Sequence, residues 1–247
     1  MPRSISAIAV TPIKGFALDF PERVLLGPMG VEENRRFALV DASGARLRST
    51  KHAWPCTLGA AYDADSERLV IRLPDGRELA GSVEPDGEVE FDYHGKLVSG
   101  RFVDGAWTSA LSELAGTQVR LVKLADAGQV QGEPVTIVSR ASLERITAEA
   151  GTELDPRRFR MLFHLDGCEA HEEDAWLGGR VRVGSAIVRV VERVERCVVT
   201  TRDPATGERD IDTLALLKRY RGSLDFGVRA RVERPGAVAV GDPVEPL

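Results

Sequence analysis

Short alternating runs of residues, separated by glycine-containing turns, dominate the first hundred positions of this chain. The runs RRFALVD (35–41) and ARLRST (45–50) flank Ala42-Ser43-Gly44, a three-residue link in which glycine can adopt positive φ. Glu88–Tyr93 and Lys96–Val103 flank His94-Gly95 in the same way. Strands this short and this closely spaced favour an antiparallel barrel or sandwich over a parallel sheet. We therefore expect a mainly β fold with a few helices, built around β-barrels.

Three helices are predicted among these strands. Apolar residues repeat at helical spacing over 106–115, where Gly116 suits the C-terminal cap. A second helix starts after Ser139, a candidate N-cap, and a third runs from Asp212 or Thr213 to Gly222. A small, polar stretch at 125–133 separates the first helix from the second. This stretch predicts two domains, residues 1–125 and 126–247.

Composition excludes several classes of function. The 247 residues carry a net charge of -5, which argues against general binding to nucleic acid or to an anionic membrane. The three cysteines are too few and too scattered for a disulfide framework, which favours a reducing cytoplasm. No run of residues has the length of a membrane span or the pattern of a secretory signal. P-loop, dinucleotide-binding and nucleophile-elbow motifs are missing as well.

The segment around Cys197 is the strongest candidate for chemistry. Residues 189–234 carry 11 basic and 8 acidic side chains in a chain that is acidic overall. Cys197 directly follows Arg196, and a guanidinium beside a thiol favours the thiolate, a soft metal ligand. The valines on either side predict that Cys197 lies on a strand. They are equally compatible with a small buried hydrophobic residue, the commonest fate of a free cysteine.

The run Arg196-Cys197-x-x-Thr200-Thr201-x-Asp203-Pro204-x-Thr206-Gly207 resembles the hallmark segment of MOSC-domain proteins. Further matches follow the same order along the chain: Thr11–Gly15, Arg35–Asp41, Ser139-x-x-Ser142-Leu143, Glu173-Asp174-x-Trp176 and Val240–Val244. The resemblance implies an N-terminal MOSC-type β-barrel domain followed by a C-terminal MOSC β-barrel domain. Among the larger members of this family, the chain resembles the amidoxime-reducing molybdoenzymes.

The resemblance implies a molybdenum cofactor, molybdopterin, with Cys197 as the protein ligand of the metal and the catalytic centre. It also implies a set of side chains that reach the phosphate or polar edge of the pterin: Lys14, Arg36, Arg160 and Arg196, with Ser139 further out. The implied activity is a two-electron reduction of small N-hydroxylated compounds. The chain has no flavin, haem or iron–sulfur motif of its own, so an external electron-transfer protein or reductase is the expected partner.

Two other functions fit the same residues. Cys197 could carry a persulfide and pass its sulfur to an acceptor, or the chain could bind the cofactor without catalysis for storage or delivery. The sequence also departs from the eukaryotic relatives. Gly15 stands where they have serine, Gln131 where they have an acid, and Leu162 where they have asparagine. Leu162 cannot form a hydrogen bond with a pterin through its side chain.

Overall fold

The structure is a computed structural model that describes residues 2–127, 130 and 132–247. Gln131 lies outside the described residues. The described chain is mostly strands with three α-helices, which confirms the predicted fold class. The helices are α1 (Trp107–Ala115), α2 (Arg140–Ala150) and α3 (Thr213–Arg221). The strands are β1 (Ser4–Ile8), β2 (Arg23–Gly27), β3 (Gly30–Val31), β4 (Phe37–Asp41), β5 (Gly59–Asp63), β6 (Arg68–Arg72), β7 (Glu78–Ser82), β8 (Pro85–Tyr93), β9 (Lys96–Val103), β10 (Val119–Leu124), β11 (Val135–Ser139), β12 (Phe163–Asp166), β13 (Arg180–Val183), β14 (Ala186–Glu195), β15 (Asp225–Arg234), β16 (Gly236–Ala239) and β17 (Val244–Pro246).

The largest sheet has seven strands in the order β1-β12-β11-β15-β14-β13-β17 and curves into a nearly closed barrel. Its interior is filled by fully buried apolar side chains such as Leu162, Phe163 and Val188. The first strand of the chain belongs to this sheet, since β1 pairs antiparallel with β12 and Ile5 lies opposite Leu165. The amino-terminal residues therefore complete a barrel that is otherwise built from the second half of the chain.

The first half forms two further sheets, β4-β10-β9-β8 and β5-β6-β7. Helix α1 packs against them through Trp107, which is 0% exposed within a core that includes Phe37 and Leu111. Burial of an aromatic side chain of this size is worth several kcal/mol, and truncation of such a residue to alanine usually costs about 3–5 kcal/mol. A small sheet, β16-β2-β3, links residues from the two ends of the chain. The division at residue 125 stays a prediction.

The helix ends follow the sequence closely. The Ser139 hydroxyl accepts a hydrogen bond from the Ser142 amide at 3.1 Å, which satisfies one of the free donors at the start of α2. Gly151 and Gly222 end α2 and α3 in the left-handed conformation that glycine adopts without strain. The Asp212 side chain caps α3.

Two local predictions are wrong. The strand predicted over 45–50 does not form, and after β4 the chain makes only an isolated bridge between Val40 and Arg46. The Asp41 carboxylate instead accepts the amides of Ser43 and Ala45 and shapes a turn that leads into a loop. Cys197 is not on a strand, because β14 ends at Glu195.

Candidate anion pocket with an exposed thiol

Where β14 ends, a cavity of about 440 Å³ opens between the two halves of the chain. Its walls come from the segment after β1, the loop after β4, the turn between β8 and β9, and the residues around 157–161 and 194–204. Basic side chains dominate the lining: Lys14, Arg35, Arg46, Arg48, Arg157, Arg158, Arg160, Arg196, Arg202 and Arg229. The carboxylates that line it are Glu195 and Asp203. The cavity is therefore strongly cationic although the chain carries a net charge of -5.

Cys197 lies on this cavity with its side chain exposed. It sits at the start of a 3₁₀ helix, Val198–Thr201, and its carbonyl accepts both the amide and the hydroxyl of Thr200 at 3.0 Å. The short helix turns the chain away from β14 immediately after the thiol. The backbone of Cys197 is thus fixed while its sulfur faces the cavity, which excludes the reading of a buried apolar cysteine.

The side chain of Arg196 points away from the exposed Cys197 sulfur and forms part of the cavity wall. Its side chain is buried, donates to the carbonyl of Phe159 and lies 3.5 Å from the Met161 sulfur. Its Nε has no hydrogen-bond partner among the described residues. Burial lowers the pKa of Arg196 to about 10 even though the neighbouring Cys197 favours its charged form. A buried guanidinium held by a carbonyl and a thioether lacks the anion that would offset its desolvation.

Arg35 and Arg160 lie in the same wall, and each is held there by a backbone carbonyl. Arg35 Nη2 donates to the Arg160 carbonyl at 3.0 Å, and Arg160 Nη2 donates to the Phe16 carbonyl at 2.7 Å. Both residues adopt left-handed backbone, with φ of 55° and 54°. Such a conformation is strained for a long side chain and persists only where the surrounding contacts impose it. Burial lowers the pKa of each, to about 10 for Arg35 and about 9 for Arg160.

Lys14 completes this group. Its ammonium donates to the Tyr93 hydroxyl at 2.8 Å and to the carbonyl of Val130. Burial lowers its pKa well below the usual value of 10.5, and Arg35, Arg46 and Arg160 lower it further. Cys197 acts in the opposite direction, so the thiol lies within electrostatic reach of the ammonium.

Three of the lining arginines are paired within the protein. Arg157 bonds Asp155, Arg158 bonds Asp210 and Arg229 bonds Glu192. The others make no ion pair within 4.0 Å to a carboxylate of residues 2–127, 130 or 132–247: Lys14, Arg35, Arg46, Arg48, Arg160, Arg196 and Arg202. An anionic ligand in the cavity would supply the counter-charge that these side chains lack.

The sequence-predicted residues divide into two sets. Lys14, Arg160, Arg196 and Cys197 line the cavity together. The structure does not bring Arg36 or Ser139 to it. Arg36 donates to the Ala125 carbonyl at 3.2 Å and lies 3.2 Å from the Glu32 carboxylate, outside the cavity that Arg35 lines.

Ser139 is fully occupied as the cap of α2. Its hydroxyl is 2.6 Å from the Ser142 hydroxyl, and its amide donates to the buried Glu173 carboxylate. The expected cofactor contacts of Arg36 and Ser139 therefore have no support in the geometry.

Two of the departures from the eukaryotic relatives have a structural explanation. Leu162 is 0% exposed in the barrel core, and its amide donates to the Thr136 hydroxyl at 2.8 Å, so its side chain does not face the cavity. Gly15 lines the cavity with φ of 96°, and a Cβ built there would lie 2.8 Å from the Ser49 hydroxyl oxygen. Position 15 is thus restricted to glycine while Ser49 supplies the hydroxyl in that space.

Sequence reasoning missed several lining residues. Arg35 was overlooked beside Arg36, and only its left-handed backbone explains why it faces inward. Arg46 and Arg48 come from the loop after β4 and Tyr93 from the end of β8, neither of which carries a recognised motif. Cys56 also lines the cavity, where burial raises the pKa of its thiol.

The protein thus belongs to the class of β-barrel proteins that present an exposed thiol in a cationic pocket. The sequence pattern of the MOSC domain matches residues 119–245, a little over half of the chain. The chain is a member of the MOSC domain family.

Curated relatives match the same region. The human protein named mitochondrial amidoxime reducing component 2 is 34% identical over 123 residues, 45% of this chain and 36% of that protein. Mouse mitochondrial amidoxime-reducing component 1 is also 34% identical over the same shares of the two chains. The match thus covers little more than a third of the length of these relatives. Residues 11–41, which carry the N-terminal motifs, precede the matched MOSC region.

Solved structures are similar only in outline. The YUAD protein from Bacillus subtilis matches with a TM-score of 0.49 and 12% identity over 99% of this chain and 94% of its own. YiiM from Escherichia coli matches with a TM-score of 0.37 and 20% identity over 50% of this chain and 58% of its own. Neither likeness bears on function.

The described residues were compared with what a metal site and a membrane span require. No group of three or more His, Cys, Asp or Glu side chains there could hold a metal ion by itself. Any metal at Cys197 would need most of its ligands from a bound cofactor. In the same part of the chain, no helix has the length and apolar character needed to cross a membrane.

Proposed function

We propose that this chain binds a molybdenum cofactor through Cys197 and the cationic pocket and acts as an oxidoreductase on small N-hydroxylated compounds. One observation carries the proposal: an exposed thiol opens onto a cavity in which the buried Arg35 and Arg196 have no carboxylate partner among the described residues. Membership of the MOSC family and the names of the mammalian relatives point in the same direction.

The donor set suits a bulky anion that carries a soft metal and a phosphate. Guanidinium groups bind phosphate oxygens through two hydrogen bonds, and a thiolate is a soft ligand of the kind that suits sulfur-rich metal centres. Arg35, Arg160, Arg196 and Lys14 would hold the anionic cofactor, with Cys197 as the protein ligand of the metal. When bound, the cofactor would supply the two-electron redox chemistry, while these side chains bind and orient it.

Electrons must come from outside the chain, because no flavin, haem or iron–sulfur motif is present in the sequence. We therefore include an external electron-transfer protein or reductase as the partner. The two halves of the chain remain proposed as an N-terminal MOSC-type barrel domain and a C-terminal MOSC domain. A cytoplasmic location stays a prediction from composition.

The exposure of Cys197 also supports a second candidate, a sulfur carrier that holds a persulfide on this thiol. Such a protein would need the exposed sulfur and its cationic surroundings but no molybdenum. A carrier that stores the cofactor without catalysis would need molybdenum but show no turnover. Metal content and turnover therefore distinguish all three functions.

The test compares purified wild-type protein with Cys197→Ala, and Cys168→Ala serves as the matched control. Cys168 packs against the barrel core and takes no part in the pocket. We expect molybdenum and pterin fluorescence close to one equivalent in wild type and control, and loss of molybdenum from Cys197→Ala with unchanged melting temperature. Wild type should reduce an amidoxime when supplied with a chemical reductant. Full molybdenum content in Cys197→Ala would show that the ligand assignment is wrong.

A further inference from the structure

The basic side chains of the pocket form two groups at different depths. Arg35 and Arg196 are buried near Cys197 together with Lys14 and Arg160, and we call these four residues the floor group. Arg46, Arg48 and His94 come from two loops of the first half of the chain, and we call them the mouth group. Arg46 is partly exposed, and Arg48 and His94 are exposed. The mouth group therefore faces solvent at the cavity opening.

Contacts within the protein hold the loops and side chains of the mouth group in place. The Arg46 guanidinium stacks on the Tyr93 ring at 4.1 Å from its centroid, and its Nε is buried without a hydrogen-bond partner among the described residues. His94 follows Tyr93 in left-handed backbone with φ of 55°, in the turn between β8 and β9. Arg202 reaches across and donates to the Thr50 carbonyl at 3.3 Å, which ties down the loop that carries Arg46 and Arg48.

The arginines of the mouth group, like those of the floor group, differ from part of the lining in having no carboxylate partner. Arg157, Arg158 and Arg229 line the same cavity, and each has a carboxylate partner within 2.7 Å. Within the described part of the chain, Arg46 and Arg48 have no such ion pair. Burial lowers the pKa of Arg46 and the nearby Arg48 lowers it further, whereas Tyr93 and Asp92 favour its charged form. Two neighbouring guanidinium groups that repel each other and are not neutralised by the protein fit a second anion.

The floor group alone provides four cations for the phosphate of the proposed cofactor, a group of about -1.5 to -2 charge. The positive charge of the mouth group is therefore not needed to neutralise the cofactor phosphate. The Lys14 ammonium links the two levels, because it bonds the Tyr93 hydroxyl on which Arg46 stacks and lies within electrostatic reach of Cys197. A molecule that reaches from the thiol to the opening would meet the mouth group with its outer end.

We propose that Arg46, Arg48 and His94 form a subsite for an anionic group on the substrate itself, so that the preferred N-hydroxylated substrates carry a carboxylate or a phosphate. This inference rests on the proposed function, since it names the substrate class of that site. The two arginines bind the anion, and the neutral His94 imidazole adds a hydrogen-bond donor. The subsite selects the substrate and takes no part in the reduction.

The experiment uses three matched probes: benzamidoxime, its 4-carboxy derivative and its 4-phosphonate derivative. With molybdenum-loaded wild type and a chemical reductant at low salt, we expect kcat/KM for an anionic probe to exceed that for the neutral one by about tenfold, mainly through KM. In Arg48→Ala the ratio should fall to about twofold, and in the Arg46→Ala/Arg48→Ala double variant to about one. High salt should reduce the wild-type ratio, because the mouth is open to solvent. The better of the two anionic probes identifies the anion.

The control is Arg68→Ala, which removes an exposed arginine of β6 outside the cavity and should keep the wild-type ratio. Calorimetric binding of the same probes tests the subsite independently of turnover. Equal binding of neutral and anionic probes by wild type would overturn the inference. So would a loss of molybdenum from Arg48→Ala, since Arg48 would then belong to the cofactor site. A protein that binds the anionic probes preferentially but reduces none of them would retain the subsite and refute the proposed oxidoreductase function instead.

Discussion

The Lys14 ammonium allows a quantitative test of the claim that the pocket buries positive charge without a carboxylate to neutralise it. In the cofactor-free protein this ammonium lies beside Arg35, Arg46 and Arg160, and its pKa is lowered well below 10.5. Lys14→Met keeps most of the apolar stem and removes the charge. It also removes two hydrogen bonds, to Tyr93 and Val130, at a cost of about 1 kcal/mol each.

The contribution of the Lys14 charge to the free energy of unfolding depends on pH, and the direction of the pKa shift fixes the sign of this contribution. At pH values below the folded-state pKa, both states bind the proton and the full penalty of the buried charge is present. Between the folded-state pKa and 10.5 the unfolded state binds a proton that the folded state has lost, so wild-type stability rises with pH. The slope of this gain is at most about 1.4 kcal/mol per pH unit for one group. Lys14→Met has no such group and lacks this rise.

The assay is urea unfolding of cofactor-free wild type and Lys14→Met from neutral pH to about pH 10, on the acid side of the ordinary lysine pKa. The free energy of unfolding of wild type should rise relative to that of the variant towards the alkaline end. Lys96→Met, which removes an exposed lysine of β9, should give a profile parallel to wild type. Parallel profiles for Lys14→Met as well would show that the ammonium is as well solvated in the folded protein as in the unfolded chain, and the account of the pocket would fail.

The remaining predictions concern individual positions. Arg35→Gln should lower the molybdenum content per chain, whereas Arg36→Gln, outside the cavity, should not; equal losses on elemental analysis would contradict the placement. Gly15→Ser should lower the free energy of unfolding by about 1–3 kcal/mol, because φ is 96° and the new Cβ meets Ser49, and Ser49→Ala in the same chain should restore part of that loss. Ser139→Ala should cost about 1 kcal/mol in thermal or urea unfolding through loss of the α2 cap, with molybdenum content unchanged.

Local signals in the sequence predicted most of the regular structure. Ser139, Gly151 and Gly222 mark helix ends by backbone chemistry that acts within a few residues, so their positions need no knowledge of the rest of the fold. The hairpin of β8 and β9 follows from His94-Gly95 for the same reason. By contrast, the pairing of β1 with β12 joins residues about 160 positions apart, and nothing local in either strand specifies its partner.

The pocket was predictable only where a motif marked it. Cys197 and Lys14 were identified through segments that resemble the family, and the structure brings both to one cavity. Arg36 was named only through the resemblance of residues 35–41 to the family, whereas the structure places its neighbour Arg35, which has left-handed backbone, on the cavity. Arg48 lies in a loop that alternation predicted to be a strand. Its position at the cavity opening follows from tertiary contacts that the loop sequence does not encode.

The pairing of β1 with β12 limits when the barrel and its pocket can form during translation. Ser4–Ile8 is translated well before its partner strand, Phe163–Asp166. Until that partner is made, β1 cannot pair within the barrel, and the wall that carries Arg160 and Cys197 cannot close against Lys14. Any cofactor that needs residues from both sides of the pocket must therefore be inserted after both regions have been translated.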